Sequence, residues 1–269
     1  MFDISHLPER TTRPRQNGLT MVMDKGLSLR QAEDLIETGS DLVDFLKLGF
    51  GTSIVTPKVA EKTKLYRDAG FDVYCGGTLF EAFYVRNDLD GYLRFIDKMG
   101  IECLEVSDGS MVIQHDEKCE VIHELSKNYK VLSEVGSKEE GILISPSKWI
   151  RMMSNELQAG SFKVIAEARE SGNVGIYRPN GSAHVQLIKR ILANVAQEDI
   201  LWEAPKKPQQ VWFIRQFGAN VNLGNIGPND LIPLECLRMG LRGDTFFEHL
   251  PEALAEGKRL APEEVSEDD

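Results

Sequence analysis

This chain of 269 residues is poor in several of the groups that carry enzyme chemistry. It has four cysteines, Cys75, Cys103, Cys119 and Cys236, with no C-x-x-C spacing. That excludes a zinc ribbon and a dense disulfide framework, and fits reduced thiols in a reducing compartment. Its five histidines, His6, His115, His123, His184 and His249, form no H-E-x-x-H pair, so a zinc hydrolase or a histidine-based triad has little to build on. Positive charge is also short: 31 Lys and Arg stand against 42 Asp and Glu, a net −11. Such a field disfavours nucleic acid and anionic membranes as partners, and any anionic substrate must be drawn in by local cations. No stretch reaches the roughly 18 apolar residues of a membrane span, and the opening "MFDISHLPERTTRPRQNG" lacks the apolar core of a signal peptide. A cytoplasmic protein is expected.

What is present is a regular succession of short β-rich runs. They are "GLTMVMDKG" (from Gly18), "DFLKLGFGTS" (Asp44), "DVYCGGT" (Asp72), "CLEVSDGS" (Cys103), "KVLSEVGS" (Lys130), "FKVIAEARES" (Phe162), "DILWEAP" (Asp199) and "ANVNLGNI" (Ala219). Between them lie stretches such as "SLRQAEDLIETGSD" and "DEKCEVIHELSKN" with apolar positions three or four apart, the helical period. Strand starts recur at roughly 20 to 35 residues, the scale of a βαβ unit. Eight such units in one chain predict a single (β/α)8 barrel of the TIM type. The glycines of "LGFGTS" (48–53) are too close for a dinucleotide loop, and Pro57 follows them. Residues 1–17 read as an N-terminal arm, 18–250 as the barrel and 251–269 as an acidic tail, partly disordered.

Charged residues fall toward the C-terminal ends of these strands, where a barrel builds its active site. Asp24 and Lys25 end the first, Lys47 lies in the second, and Glu105 and Asp108 in the fourth. Glu134 lies in the fifth, Glu167 and Arg169 in the sixth, and Glu203 in the seventh. A carboxylate on the outer face of such a strand would sit dry beneath helices, so a ring around the inner mouth is expected. At an effective dielectric near 20, two unit charges about 4 Å apart repel by roughly 4 kcal/mol. Lys47 and Lys25 neutralise two charges at most, so a hard divalent cation, Mg2+, is expected among oxygen ligands. The alternative is that pairs such as Glu105 with Lys47 only close the barrel.

Two loops suggest an anion site. "ARESGN" (168–173) places Arg169 beside Ser171 and Gly172, and "LGNIGPND" (223–230) carries Gly224 and Asn225 toward the last helix. Barrels often hold phosphate there, at a helix N-terminus.

The strings "GLTMVMDKGL", "DFLKLGFGTS", "GGTLFE", "EVSDGS", "SEVGSKEE", "ARESG", "EAPKKPQQVWFI", "FGANVNLGNI" and "LRMGLRGDTF" together resemble the phosphosulfolactate synthases, over residues 18–246. The resemblance implies Mg2+-dependent addition of sulfite to phosphoenolpyruvate, giving (2R)-phospho-3-sulfolactate on a route to coenzyme M, by a lyase. It extends also to plant heat-stress-associated proteins, which implies a non-synthase alternative, beside that of another barrel lyase acting on a phospho-acid. Strand geometry nominates Glu105, Glu134 and Glu167 as metal ligands, with Asp108 or Glu203 able to replace one. Lys138 matches a lysine of the family's "EVGKK"-like string and is the expected proton donor, with Lys25 the second candidate. Lys47 and Arg169 are the expected anion clamps. The chain departs from the family at Ser137, where a lysine is usual, and at Ala168, where "GRESG" has glycine. A lysine inside a barrel strand is also how Schiff-base aldolases are built, and Lys47 qualifies. A homo-oligomer is left open, since the apolar "VWFI" (211–214) reads as helix packing.

Overall fold

The computed structural model describes residues 4–136 and 144–259. Eight strands form one all-parallel sheet: β1 (Thr20–Asp24), β2 (Phe45–Leu48), β3 (Asp72–Cys75), β4 (Cys103–Val106), β5 (Lys130–Val135), β6 (Lys163–Ala166), β7 (Ile200–Glu203) and β8 (Leu223–Ile226). Their hydrogen-bonded order, β3-β2-β1-β8-β7-β6-β5-β4, brings the first strand against the last. β3 and β4 are neighbours in space without a ladder among the described residues, so the barrel is closed but for one seam. The described helices are α1 (Leu29–Gly39), α2 (Thr52–Val55), α3 (Val59–Asp68), α4 (Gly77–Tyr84), α5 (Leu89–Lys98), α6 (His115–Ser126), α7 (Pro146–Ala159), α8 (Val185–Leu192), α9 (Lys207–Phe217), α10 (Leu231–Arg238) and α11 (Glu252–Ala255). The fold is the expected (β/α)8 barrel.

Local chemistry explains the helix starts. Ser28 caps α1 in a reciprocal box with Gln31, and Ser145 caps α7 ahead of Pro146, whose fixed φ suits a first turn. Nearly every strand residue is buried, as a parallel sheet covered by helices requires.

Two apolar layers result. Outward strand residues such as Val22, Leu46, Val73, Leu104 and Trp202 pack beneath the helices. Inward residues Leu19, Met21, Phe45, Tyr74, Cys103, Leu132, Ile165 and Leu201 fill the barrel's floor. "VWFI" belongs to the first layer: Val211, Phe213 and Ile214 are buried, and Phe213 stacks on Trp202 at 5.1 Å.

The N-terminal arm has no regular element among its described residues, yet arginines pin it beneath the barrel. Arg10 pairs with Glu235 at 2.8 Å and Arg15 with Asp44 at 2.8 Å. The wholly buried Arg238 donates to the carbonyls of Ala219 and Val221 at 2.6 and 2.7 Å. Among the described residues no helix is long and apolar enough to cross a membrane.

Candidate active site

Strand parity places the charges. Two residues beyond the floor positions Phe45, Cys103, Leu132, Ile165 and Leu201 come Lys47, Glu105, Glu134, Glu167 and Glu203, on the same inward face. All five are buried. They line a cavity of about 260 Å³ at the C-terminal ends of the strands, together with Met23, Thr78, Arg169, Glu170 and Asn225. A volume of that size suits small anions better than a large cofactor.

Lys47 Nζ lies 3.0 Å from Glu105 Oε2, 3.5 Å from Glu203 Oε1 and 3.7 Å from Glu134 Oε2. Burial pulls its pKa down, but Glu105 and Glu203 outweigh this and hold it well above the ordinary lysine value. Lys47 is therefore a fixed ammonium, which argues against a Schiff-base nucleophile, since that role needs the free amine. Glu203 responds in the opposite sense. Burial first, opposed by Lys47 and reinforced by Glu134, pushes its carboxyl up to about 7.

Carboxylate oxygens of Glu134, Glu167 and Glu203 lie within 4.8 Å of one another. Glu105 falls outside this group: it pairs with Lys47 at 3.0 Å and accepts from the Gly77 amide at 2.6 Å. The clustered set is thus Glu134 and Glu167 with Glu203, while Glu105 serves Lys47 and the start of α4. Glycine is needed at position 77, because a Cβ there would stand 2.6 Å from Glu105 Oε1 and closer still to Ser107 Oγ.

Other sequence candidates are placed elsewhere. Asp24 has the outward parity: Lys62 Nζ meets it at 2.7 Å, and the amides of Gly26 and Leu27 donate to it at 2.7 Å. Asp24 therefore caps the β1 loop and is no part of the ring. Asp108 also turns outward, to Lys118 at 2.8 Å. Lys25 pairs with Glu170 at 2.7 Å, both about half exposed at the rim.

Of the anion loops, Arg169 (φ 53°) and Asn225 (φ 55°) adopt left-handed conformations and line the cavity. Ser171 bonds Asn173, and the Gly172 carbonyl accepts from Gln209 at 2.8 Å. Gly224 packs over Met21 and Leu201 at the floor. The Asn225 Oδ1 is buried without a hydrogen-bond partner among the described residues. Lys138 and Ser137 lie outside the described residues.

Among the described residues, four buried carboxylates, Lys47 and Arg169 line one cavity at the C-terminal ends of the strands, the place where a (β/α)8 enzyme builds its active site. The comparisons sharpen this. The model of the (2R)-phospho-3-sulfolactate synthase (ComA) family matches residues 8–244. The chain is 42% identical over 244 residues to a phosphosulfolactate synthase of Methanothermobacter thermautotrophicus, covering 88% of this chain and 95% of that one. It is 38% identical over 251 residues to the Bacillus subtilis phosphosulfolactate synthase, covering 92% and 100%. The chain belongs to the (2R)-phospho-3-sulfolactate synthase family.

Among solved structures, 3-hexulose-6-phosphate synthase from Salmonella typhimurium superposes with TM-score 0.53 at 11% identity, over 83% of this chain and 100% of that one. N-acetylneuraminate lyase from Fusobacterium nucleatum gives 0.52 at 13%, over 84% and 74%. Likeness at that distance speaks to the barrel alone.

Proposed function

We propose that this protein is a cytoplasmic lyase that adds sulfite to phosphoenolpyruvate in an Mg2+-dependent reaction, giving (2R)-phospho-3-sulfolactate for coenzyme M or another sulfonate. The observation that carries the reading is the buried set Glu134, Glu167 and Glu203, with oxygens within 4.8 Å of one another beside Lys47. Three carboxylates that close repel strongly, and their hard oxygens at that spacing suit Mg2+, whose shell is about 4 Å across. Bound there, the ion would supply a Lewis acid for charge that develops on the substrate carboxylate.

The chain's own residues do the rest. Sulfite is already a nucleophile, so the enzyme's task is to bring two anions together in line. In the reaction the sulfur lone pair forms a bond to the methylene carbon, and the π electrons move toward the carboxylate. A proton then adds to the carbon that bears phosphate. Lys47 and Arg169 both line the cavity and supply positive charge there, offsetting repulsion between the substrates. With its amide oriented to present the nitrogen, Asn225 donates to an anionic oxygen. Lys138 is the proposed proton donor, on its match to the family string, and Lys25 is the alternative once freed from Glu170.

A non-synthase role of the heat-stress-associated kind has less support, because the full charged ring is present. The test is phosphorus NMR of the purified protein with phosphoenolpyruvate and sulfite, with Mg2+ or with a chelator. A new phosphate ester that requires both sulfite and metal supports the proposal. Unchanged phosphoenolpyruvate under every condition contradicts it.

A further inference from the structure

The three clustered carboxylates share a feature behind the cavity. Each belongs to a residue whose own main-chain carbonyl is bonded by a group that is not part of the neighbouring strand. Lys118 Nζ, from α6, donates to the Glu134 carbonyl at 2.6 Å. The Tyr177 hydroxyl, from the loop between β6 and α8, donates to the Glu203 carbonyl at 2.7 Å. The Ile176 amide of that loop donates to the Glu167 carbonyl at 3.1 Å. Lys118 is wholly buried and Tyr177 is 4% exposed.

These bonds fall where the strands end. β7 stops at Glu203, and Glu134 is the penultimate residue of β5. A carbonyl at such an end is less constrained by the sheet, and a small rotation of its peptide plane re-aims the side chain on the same residue. Lys118 fixes one of these planes from a well-anchored position, since its ammonium also meets Asp108 Oδ1 at 2.8 Å and Glu156 Oε1 at 2.9 Å. Tyr177 is held by the bridge between Tyr177 and Ala183.

We propose that Lys118 and Tyr177 are positioning residues that aim the carboxylates of Glu134 and Glu203 at a shared divalent cation by gripping those residues' main-chain carbonyls. The proposal rests on the metal reading above. Neither residue touches substrate, and neither lines the cavity. Supporting groups behind a metal site commonly change affinity by about 10–100-fold when removed.

Tyr177→Phe is the clean test, because it deletes one hydroxyl and keeps the ring. Mn2+ binding to the full chain is followed by electron paramagnetic resonance without substrates, with melting in chelator as the structural control. The Mg2+ concentration for half-maximal turnover is measured beside them. The expected result is Mn2+ binding weakened about tenfold or more, a matching rise in the Mg2+ requirement, and a turnover rate at saturating metal close to the parent's. Lys118→Met combined with Glu156→Gln, which avoids stranding a buried carboxylate, is expected to weaken Mn2+ binding likewise. If that variant does not fold, Tyr177→Phe decides alone. Mn2+ bound by Tyr177→Phe as tightly as by the parent overturns the positioning role and leaves the metal reading intact. A parent that binds no Mn2+ overturns both.

Discussion

Lys47 and Lys118 are both buried ammonium groups among carboxylates, yet only Lys47 faces a cavity. Around Lys118 the groups are Asp108, Glu156 and the Glu134 carbonyl. Burial pushes the Glu156 carboxyl up, against the pull of Lys118, and the cluster is closed, with Lys118 bridging Asp108 and Glu156. Around Lys47, among the described residues, Glu105, Glu134 and Glu203 approach the ammonium and Glu167 lies close to Glu134 and Glu203. These groups face a cavity that a small ligand can enter. The comparison separates structure from function: a buried ion pair alone is not a site, whereas charged groups that line a cavity are placed to meet a ligand.

The sharpest way to break the comparison is to remove each lysine in turn. Lys47→Met removes the buried cation of the mouth and leaves Arg169, and turnover measured by phosphorus NMR is expected to fall about 10³-fold. Stability in urea should fall as well, by about 3–5 kcal/mol, because buried carboxylates lose a cationic partner. Lys118→Met is expected to cost a similar amount in urea. Adding Glu156→Gln should recover most of that loss, as closed clusters tolerate neutral replacement. No recovery would mean that the two clusters are not different in kind.

Glu203→Gln sharpens the contrast at the mouth. It removes the carboxylate that burial raises to about 7, so the metal-free protein should melt at a higher temperature at pH 8 than the parent does. Its Mg2+ requirement should rise by about 100-fold or more, since Glu203 would touch the metal itself and groups behind a metal site already change affinity by about 10–100-fold. A metal-free melting point unchanged by the substitution would show that the carboxylates of the mouth are not under strain.

The smallest effect lies at the closed cluster. His115 Nδ1 is 3.7 Å from Glu156 Oε1, and burial first, then Lys118, lowers its pKa from 6.5. A depressed folded-state pKa stabilises the protein above the unfolded value, and that contribution fades as pH falls through the folded one. Melting of the parent should therefore drop on acidification below pH 6.5 by about 1–2 °C more than melting of His115→Gln. Equal slopes would remove His115 from the cluster's energetics.

Much of this was legible in the sequence, for a simple physical reason. Strands of a parallel barrel are buried on both faces, so β-rich runs such as "KVLSEV" stand out, and all eight expected strands form. Parity along each run also puts Lys47, Glu105, Glu134, Glu167 and Glu203 on the inner face. What a single strand cannot show is how neighbours are staggered around the barrel. The tilt that sets Glu203, rather than Glu105, beside Glu134 and Glu167 is a property of closure. Asp24 shows the other limit: its outward partner Lys62 comes from α3, distant in sequence, and only its parity with Met23 could have signalled it. Lys118 and Tyr177 act through carbonyls, which leave no mark in a residue pattern.

The most direct measurement of the central claim is anomalous diffraction from crystals of the protein soaked in Mn2+. The account predicts one strong peak in the cavity, bridging the carboxylates of Glu134, Glu167 and Glu203. A peak confined to surface carboxylates, with that cavity empty of metal, would contradict it.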